Sequence, residues 1–197
     1  MDVSTTDHRP TGSLRLLIER RELLVVAGLP GAGKSTLLRN TRASAPVEIL
    51  DTDQMRAWLA ARFPPGTPYG RYRPLVHVLH ELRVLRALLR APGPVVVHDP
   101  ATGAAARAVL AALGALTGRP RRLLWIDCSA EEALHGQRSR GRVLLGWSFS
   151  RHARRAPRVR ERLLAGRSPR GWRTASVTCR AQTRGGLYLQ VASAASS

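Results

Sequence analysis

The sequence predicts an α/β protein built on a mostly parallel sheet with helices on both faces, a three-layer arrangement. Short apolar runs alternate with segments of helical spacing. Its polar clusters fall just beyond the ends of three of those runs, where chemistry gathers in such sheets. One of the clusters, GLPGAGKST at Gly28–Thr36, fits G-x-x-x-x-G-K-[ST] between an apolar run and a helix.

Taken in order, residues 1–12 read as a flexible lead-in. Residues 13–21 mix Leu14, Leu16, Leu17 and Ile18 with charges and suit a short helix or turn. The first strand is 23–27, Leu-Leu-Val-Val-Ala, followed by the glycine loop and a helix from about Lys34 to Arg42. Val47–Leu50 is a short strand ending at Asp51-Thr52-Asp53, and helix follows from Gln54 to Arg62, closed by Pro64-Pro65-Gly66. Residues 66–74 read as a loop. From Leu75 to Arg90, Leu75, Val78, Leu79, Leu82, Leu85, Leu88 and Leu89 recur at helical spacing. Val95–Val97 is the third strand and runs into His98-Asp99-Pro100. An alanine-rich helix at 103–117, a strand at 123–126, a helix at 130–138 and one at 150–164, bent near Pro157, follow. A fifth strand is expected at Thr174–Cys179. Residues 13–180 thus form one nucleotide-binding domain, and 181–197, polar and small, read as a disordered tail.

The length suits one domain with a sizeable core. No apolar run approaches membrane-spanning length, and the polar N-terminus lacks a signal-peptide core, which points to a cytoplasmic protein without membrane contact. Cys128 and Cys179 make neither a metal set nor a disulfide framework. The formal charge of +19 is uneven, with twelve arginines between Arg138 and Arg173 opposed only by Glu161. A polyanion belongs near that stretch. With few aromatic residues and no RNA-binding signature, nucleic acid is possible but not favoured. Lys34 is the single lysine of the chain, retained where every other strong base is arginine. An ammonium and a guanidinium are not interchangeable at a phosphate-binding loop.

Glycines let the loop turn sharply and approach an anion, so that backbone N–H groups converge on phosphates. Gly28, Pro30, Gly31, Ala32, Gly33, Lys34, Ser35 and Thr36 are the expected nucleotide ligands, with Lys34 reaching the β- and γ-phosphates and Ser35 on Mg²⁺. These residues and their order resemble the small P-loop kinases of the polynucleotide-kinase, zeta-toxin and chloramphenicol-phosphotransferase type, many of them described only as AAA-like ATP-binding domains. The resemblance spans about residues 23–165. It implies a P-loop NTPase fold with a five-stranded sheet, ATP at the first loop, and a D-x-x-R element after the second strand that handles the acceptor hydroxyl. Asp53-Gln54-Met55-Arg56 is similar to that element, with Asp51 as the competitor for the base role and helix capping as the plain alternative for either. Asp99 resembles the acid that assists Mg²⁺ at the end of the third strand. Arg138, Arg140 and Arg142 resemble the arginines of a lid helix, and Arg138 and Arg142 can share a helical face. Thr102 and Arg107 either line an acceptor pocket or cap the following helix. Trp147 to Arg155 reads either as a helix start or as an acceptor-recognition element.

The implied reaction is Mg²⁺-ATP-dependent transfer of the γ-phosphoryl group to a hydroxyl acceptor, a small molecule or a nucleic-acid 5′ end. A motor-type ATPase places a glutamate after the third-strand aspartate, whereas Asp99 is followed by Pro100. A guanine-specific N-K-x-D motif cannot exist when Lys34 is the only lysine. A non-kinase ATPase, a regulatory ATP-binding module and an arginine-rich nucleic-acid-binding protein are the alternatives.

Overall fold

The computed structural model describes residues 13–139 and 146–193. Its central sheet has five parallel strands in the order β4-β5-β2-β6-β7, where β2 is Leu23–Gly28, β4 Glu48–Asp51, β5 Val95–His98, β6 Arg121–Asp127 and β7 Thr174–Cys179. Every residue of β2 is buried, as expected of a central strand covered on both faces. Burying each of its leucine and valine side chains contributes roughly 1.5–3 kcal/mol. All five strands coincide with the apolar runs of the sequence.

Six helices connect them: α1 Lys34–Arg39, α2 Thr52–Ala60, α3 Tyr69–Arg90, α4 Ala104–Leu116, α5 Ala130–Arg138 and α6 Gly146–Leu164. Two differ from expectation. α3 begins at Tyr69, inside the stretch read as a loop, with Pro74 as its sixth residue, where the ring leaves the Gly70 carbonyl without its intrahelical donor. α6 begins at Gly146 and runs through Pro157. α3 is apolar on two faces. Tyr72, Val76, His80, Val84, Ala87 and Leu88 are buried, whereas Leu75, Val78, Leu82 and Leu89 of the sequence pattern face solvent.

The largest correction concerns the two ends. A second sheet, all parallel, has the order β1-β8-β3, with β1 Leu14–Ile18, β3 Thr41–Ala43 and β8 Leu187–Val191. Residues 13–21 therefore form a strand rather than a helix or turn. The segment read as a disordered tail supplies the middle strand, pairing along its length with β1 and over three positions with β3. The physical reason is a period of two: Leu187 and Leu189 are buried in the main core beside Leu14 and Ile18, and Tyr188 and Gln190 point away. The lead-in at 1–12 and the last four residues of the tail lie outside the described residues.

Buried Arg119 ties the end of α3 to the sheet. Its guanidinium donates to the carbonyls of Leu88 (2.7 Å), Gly93 (2.8 Å) and Ala91 (2.5 Å). These include carbonyls that a helix end leaves without partners.

Candidate functional site

β2 delivers the glycine loop to the top of the sheet, and the loop is shaped by backbone conformations that side chains rarely adopt. Gly31 has φ +98° and Gly33 φ +101°. A Cβ on Gly31 would collide with the Ala133 carbonyl oxygen of α5, so the loop and α5 interlock. Gln137 of α5 braces the loop further, its side-chain amide donating to the Pro30 carbonyl at 2.9 Å. At Gly33 a Cβ would meet open space, which leaves its left-handed backbone as the reason for glycine. No side chain caps α1. Lys34 is buried, with Nζ donating to the carbonyls of Gly28 (2.8 Å) and Leu29 (2.9 Å).

Two aspartates close the neighbouring strands. Asp51 ends β4 opposite His98 of β5, and their side chains meet at 2.5 Å. Asp51 also caps α2 through the Asp53 N–H (2.9 Å) and contacts the Ser35 hydroxyl. Burial alone would raise its carboxyl, but the bonds from His98, Asp53 and Ser35 outweigh it and hold the pKa below the ordinary value. Asp51 is therefore a capping residue fixed from several sides. Asp53, one turn-step on, lines the open cleft. Asp99 follows β5. Burial pushes its carboxyl up, against the opposing influence of the Ala101 N–H, His98 and Lys34. It accepts from the Ala101 N–H at 2.6 Å, and Ala101 itself has φ +46°, a left-handed conformation that costs a non-glycine residue about 1–2 kcal/mol. The Pro100 carbonyl accepts from the Gly28 N–H at 3.1 Å, joining this loop to the glycine loop.

The clusters converge on one cleft of about 480 Å³. Pro30, Gly31, Gly33, Lys34, Ser35, Asp53, Arg56 and Asp99 all line it, so eight of the residues expected from sequence are brought together. Arg56 lies over the Tyr69 ring at 4.2 Å. Thr102 is also in the wall, its hydroxyl 2.6 Å from His152 Nδ1 of α6. Arg107 is absent from the lining and instead holds the Ala101 carbonyl (2.7 Å). Arg138 is exposed at the end of α5 and does not line the cleft, whereas its neighbour Gln137 does. Arg142, like Arg140, lies outside the described residues. Gly28, Ala32 and Thr36 belong to the loop without lining the cleft: Ala32 is fully buried, and Gly28 is committed to the sheet beside Ile126.

Among the wall residues that sequence reasoning missed are Tyr69, Arg73, His77 and Glu81 of α3. The first two sit in the stretch read as a loop, and only recognising that the helix begins at Tyr69 would have put Arg73 four residues beyond it on one face. Arg151 and Arg155, also in the wall, come from the Trp147–Arg155 segment, for which both a plain and a recognition role stood open. His152 is driven down to about 4 by burial and then by Lys34, Arg151, Arg73 and Arg155, so it is neutral near pH 7.

For Mg²⁺, Ser35 and Asp99 supply hard oxygen donors in the same cleft, a set suited to an ion that keeps most of its waters. Among the described residues there is no cluster of three or more histidine, cysteine or acidic side chains that would form a dedicated protein cage. No helix among them is long and apolar enough to cross a membrane.

The glycine loop between β2 and α1, with its lysine and serine, on a five-stranded parallel sheet, defines a P-loop nucleotide-binding domain. Comparison with known families makes this specific: residues 23–146, well over half the chain, match the model of the AAA domain family AAA_33, and the chain belongs to that family. Over 42 residues it is 55% identical to the adenylyl-sulfate kinase of Myxococcus xanthus (strain DK1622). That match takes in 19% of this chain and 23% of the relative, so the chain spans under a quarter of it. Among solved structures, the fold is similar to one from the PezAT chromosomal toxin–antitoxin system of Streptococcus pneumoniae, with a TM-score of 0.58 and 16% identity over 82% of this chain and 68% of that one. It is also similar to a putative kinase from Chloroflexus aurantiacus J-10-fl, with a TM-score of 0.53 and 14% identity over 81% and 85%.

Proposed function

We propose that the chain is a Mg²⁺-ATP-dependent phosphotransferase that moves the γ-phosphoryl group to the hydroxyl of an acceptor. The observation that carries this reading is the single cleft in which Lys34, Ser35 and Asp99 share a wall with Asp53 and Arg56. Phosphoryl transfer asks a protein mainly for positioning and charge stabilisation, and these residues divide that work. The loop N–H groups and Lys34 hold the phosphates, Lys34 exchanging its two carbonyl partners for phosphate oxygens. Ser35 and Asp99 would hold Mg²⁺, whose charge would offset that on the transferring group. Asp53 meets the acceptor hydroxyl, orients it and takes its proton. His98 and Asp51 position Asp53 by fixing the start of α2.

Asp53 is favoured over Asp51 as base because Asp53 lines the cleft and Asp51 does not. Hydrolysis by a motor-type site is disfavoured because Pro100, where such sites carry a glutamate, is bound into a backbone bracket with Gly28. Kinases of the same family and the adenylyl-sulfate kinase likeness support the reaction class but not an acceptor. The test is a panel of hydroxyl compounds incubated with γ-labelled ATP and Mg²⁺. Label passes to an organic product with the native chain and not with Lys34→Ala. Equal transfer by both would overturn the loop's role.

A further inference from the structure

Resting on the phosphotransferase reading, the outer half of the cleft indicates what the acceptor carries besides its hydroxyl. Four guanidinium groups line it: Arg56 from α2, Arg73 from α3, and Arg151 and Arg155 from α6. Arg151 and Arg155, four residues apart, share a helical face. Arg73 and Arg151 lie against the same Trp147 ring, at 6.0 and 5.5 Å. Arg155 Nη1 comes within 3.3 Å of the position a Cβ on Gly103 would take, on the loop after β5. His152 stands among Lys34, Arg151, Arg73 and Arg155.

Among the described residues none of the four has a carboxylate partner. Arg56 is occupied by Tyr69, and among the described residues Arg73 hydrogen-bonds only the Ser148 hydroxyl at 3.5 Å and the buried Nε of Arg151 has no hydrogen-bond partner. A buried, unsatisfied charged donor is costly, and it is retained where something pairs with it. The nucleotide's phosphates have the backbone N–H groups and Lys34 of the loop after β2, whereas Arg73 and Arg151 gather around Trp147 and Arg155 lies beside Gly103 on the loop after β5. A carboxylate has two oxygens in one plane, which a single guanidinium fork satisfies. Forks arriving from two helices suit a tetrahedral anion with three terminal oxygens.

We infer that the acceptor is a small phosphate ester with a free hydroxyl, its phosphoryl group held by Arg73, Arg151 and Arg155 while Asp53 meets the hydroxyl. The hydroxyl oxygen forms the new bond to the γ-phosphorus. The bond from that phosphorus to the β–γ bridging oxygen breaks, and ADP leaves with the electron pair. The hydroxyl proton goes to Asp53 and on to solvent, and the product is a bisphosphate.

Two measurements test this. In the first, protein saturated with Mg²⁺-ADP is titrated with inorganic phosphate and with acetate, followed by tryptophan fluorescence with Trp147→Phe as the control for the signal. Phosphate binds saturably and at least tenfold more tightly than acetate. Arg151→Gln or Arg155→Gln weakens phosphate tenfold or more and leaves ADP affinity within twofold. Equal binding of acetate, or an equal loss of ADP affinity in both variants, overturns the inference. In the second, γ-labelled ATP is offered with matched pairs: glycerol and glycerol 3-phosphate, adenosine and adenosine 3′-monophosphate, and a 5′-hydroxyl oligonucleotide. Label enters the phosphate-bearing small molecules, with a KM raised tenfold by Arg73→Ala. Equal labelling of the neutral members, or preference for the oligonucleotide, overturns it. Arginine-dependent phosphate binding without transfer to any compound would uphold the anion site and overturn the transfer reading instead.

Discussion

The two halves of the cleft are built from different materials. The nucleotide half is backbone: glycines at positive φ, loop N–H groups, and a lysine whose charge rests on two carbonyls. The half proposed for the acceptor is side chains from four separate elements, namely Asp53 and Arg56 of α2, Arg73 of α3, Thr102 before α4, and Arg151 and His152 of α6. A backbone site is written in a short run of sequence and tolerates no change of conformation. A side-chain site is scattered, and it can be rewritten for another acceptor without touching the loop.

Substitutions in the two halves should therefore fail differently. The largest effect is expected at Lys34→Ala, which removes the only cation held within the loop and should lower transfer by about 10²–10³-fold or more. Gly31→Ala should behave similarly despite its small size, because its Cβ meets the Ala133 carbonyl of α5, and nucleotide affinity measured by calorimetry should fall at least tenfold. In the acceptor half, loss of turnover without loss of nucleotide affinity is expected.

Stability should depend on pH through the acceptor half and the helix behind it. His80 and His152 both have pKa values lowered from 6.5 to about 4, chiefly by burial. The unfolded chain binds these protons near pH 6.5 and the folded chain only near 4. Stability is thus fully present above about pH 6.5 and is lost as pH falls toward 4, by up to a few kcal/mol between them. Both ring nitrogens of His80 are buried without hydrogen-bond partners among the described residues, so His80→Leu should stabilise by about 1 kcal/mol at pH 7 and flatten the acid limb of a melting-temperature profile. The smallest effect is expected at Ala101→Gly, which relieves the left-handed backbone beside Asp99. Thermal unfolding should shift upward by about 1 kcal/mol or less, since glycine also adds freedom to the unfolded chain.

The same contrast explains what could be read from the sequence. Gly28–Thr36 announces itself because backbone chemistry needs particular residues at fixed spacing. The five central strands were legible as apolar runs, since a parallel sheet buried on both faces demands them. Asp53, Arg56 and Asp99 were legible as polar residues beyond strand ends. Arg73 was not, because nothing local marks a surface arginine whose meaning depends on how α3 packs. Arg138 carried the expected spacing and lies outside the cleft, since spacing along a helix does not fix which way that helix is turned. β8 was missed for a related reason. Leu187, Leu189 and Val191 alternate in only five residues, and their partners in β1 lie at the other end of the chain.

The division of labour between Lys34 and Asp53 is tested most directly by Asp53→Asn, assayed for ATP affinity and for transfer on the same preparation. The account predicts ATP binding within about twofold of the native chain and transfer to the acceptor reduced by about 10²–10⁴-fold, the usual range for losing a general base. Transfer at the native rate, or a loss of ATP binding as large as that of Lys34→Ala, would contradict it.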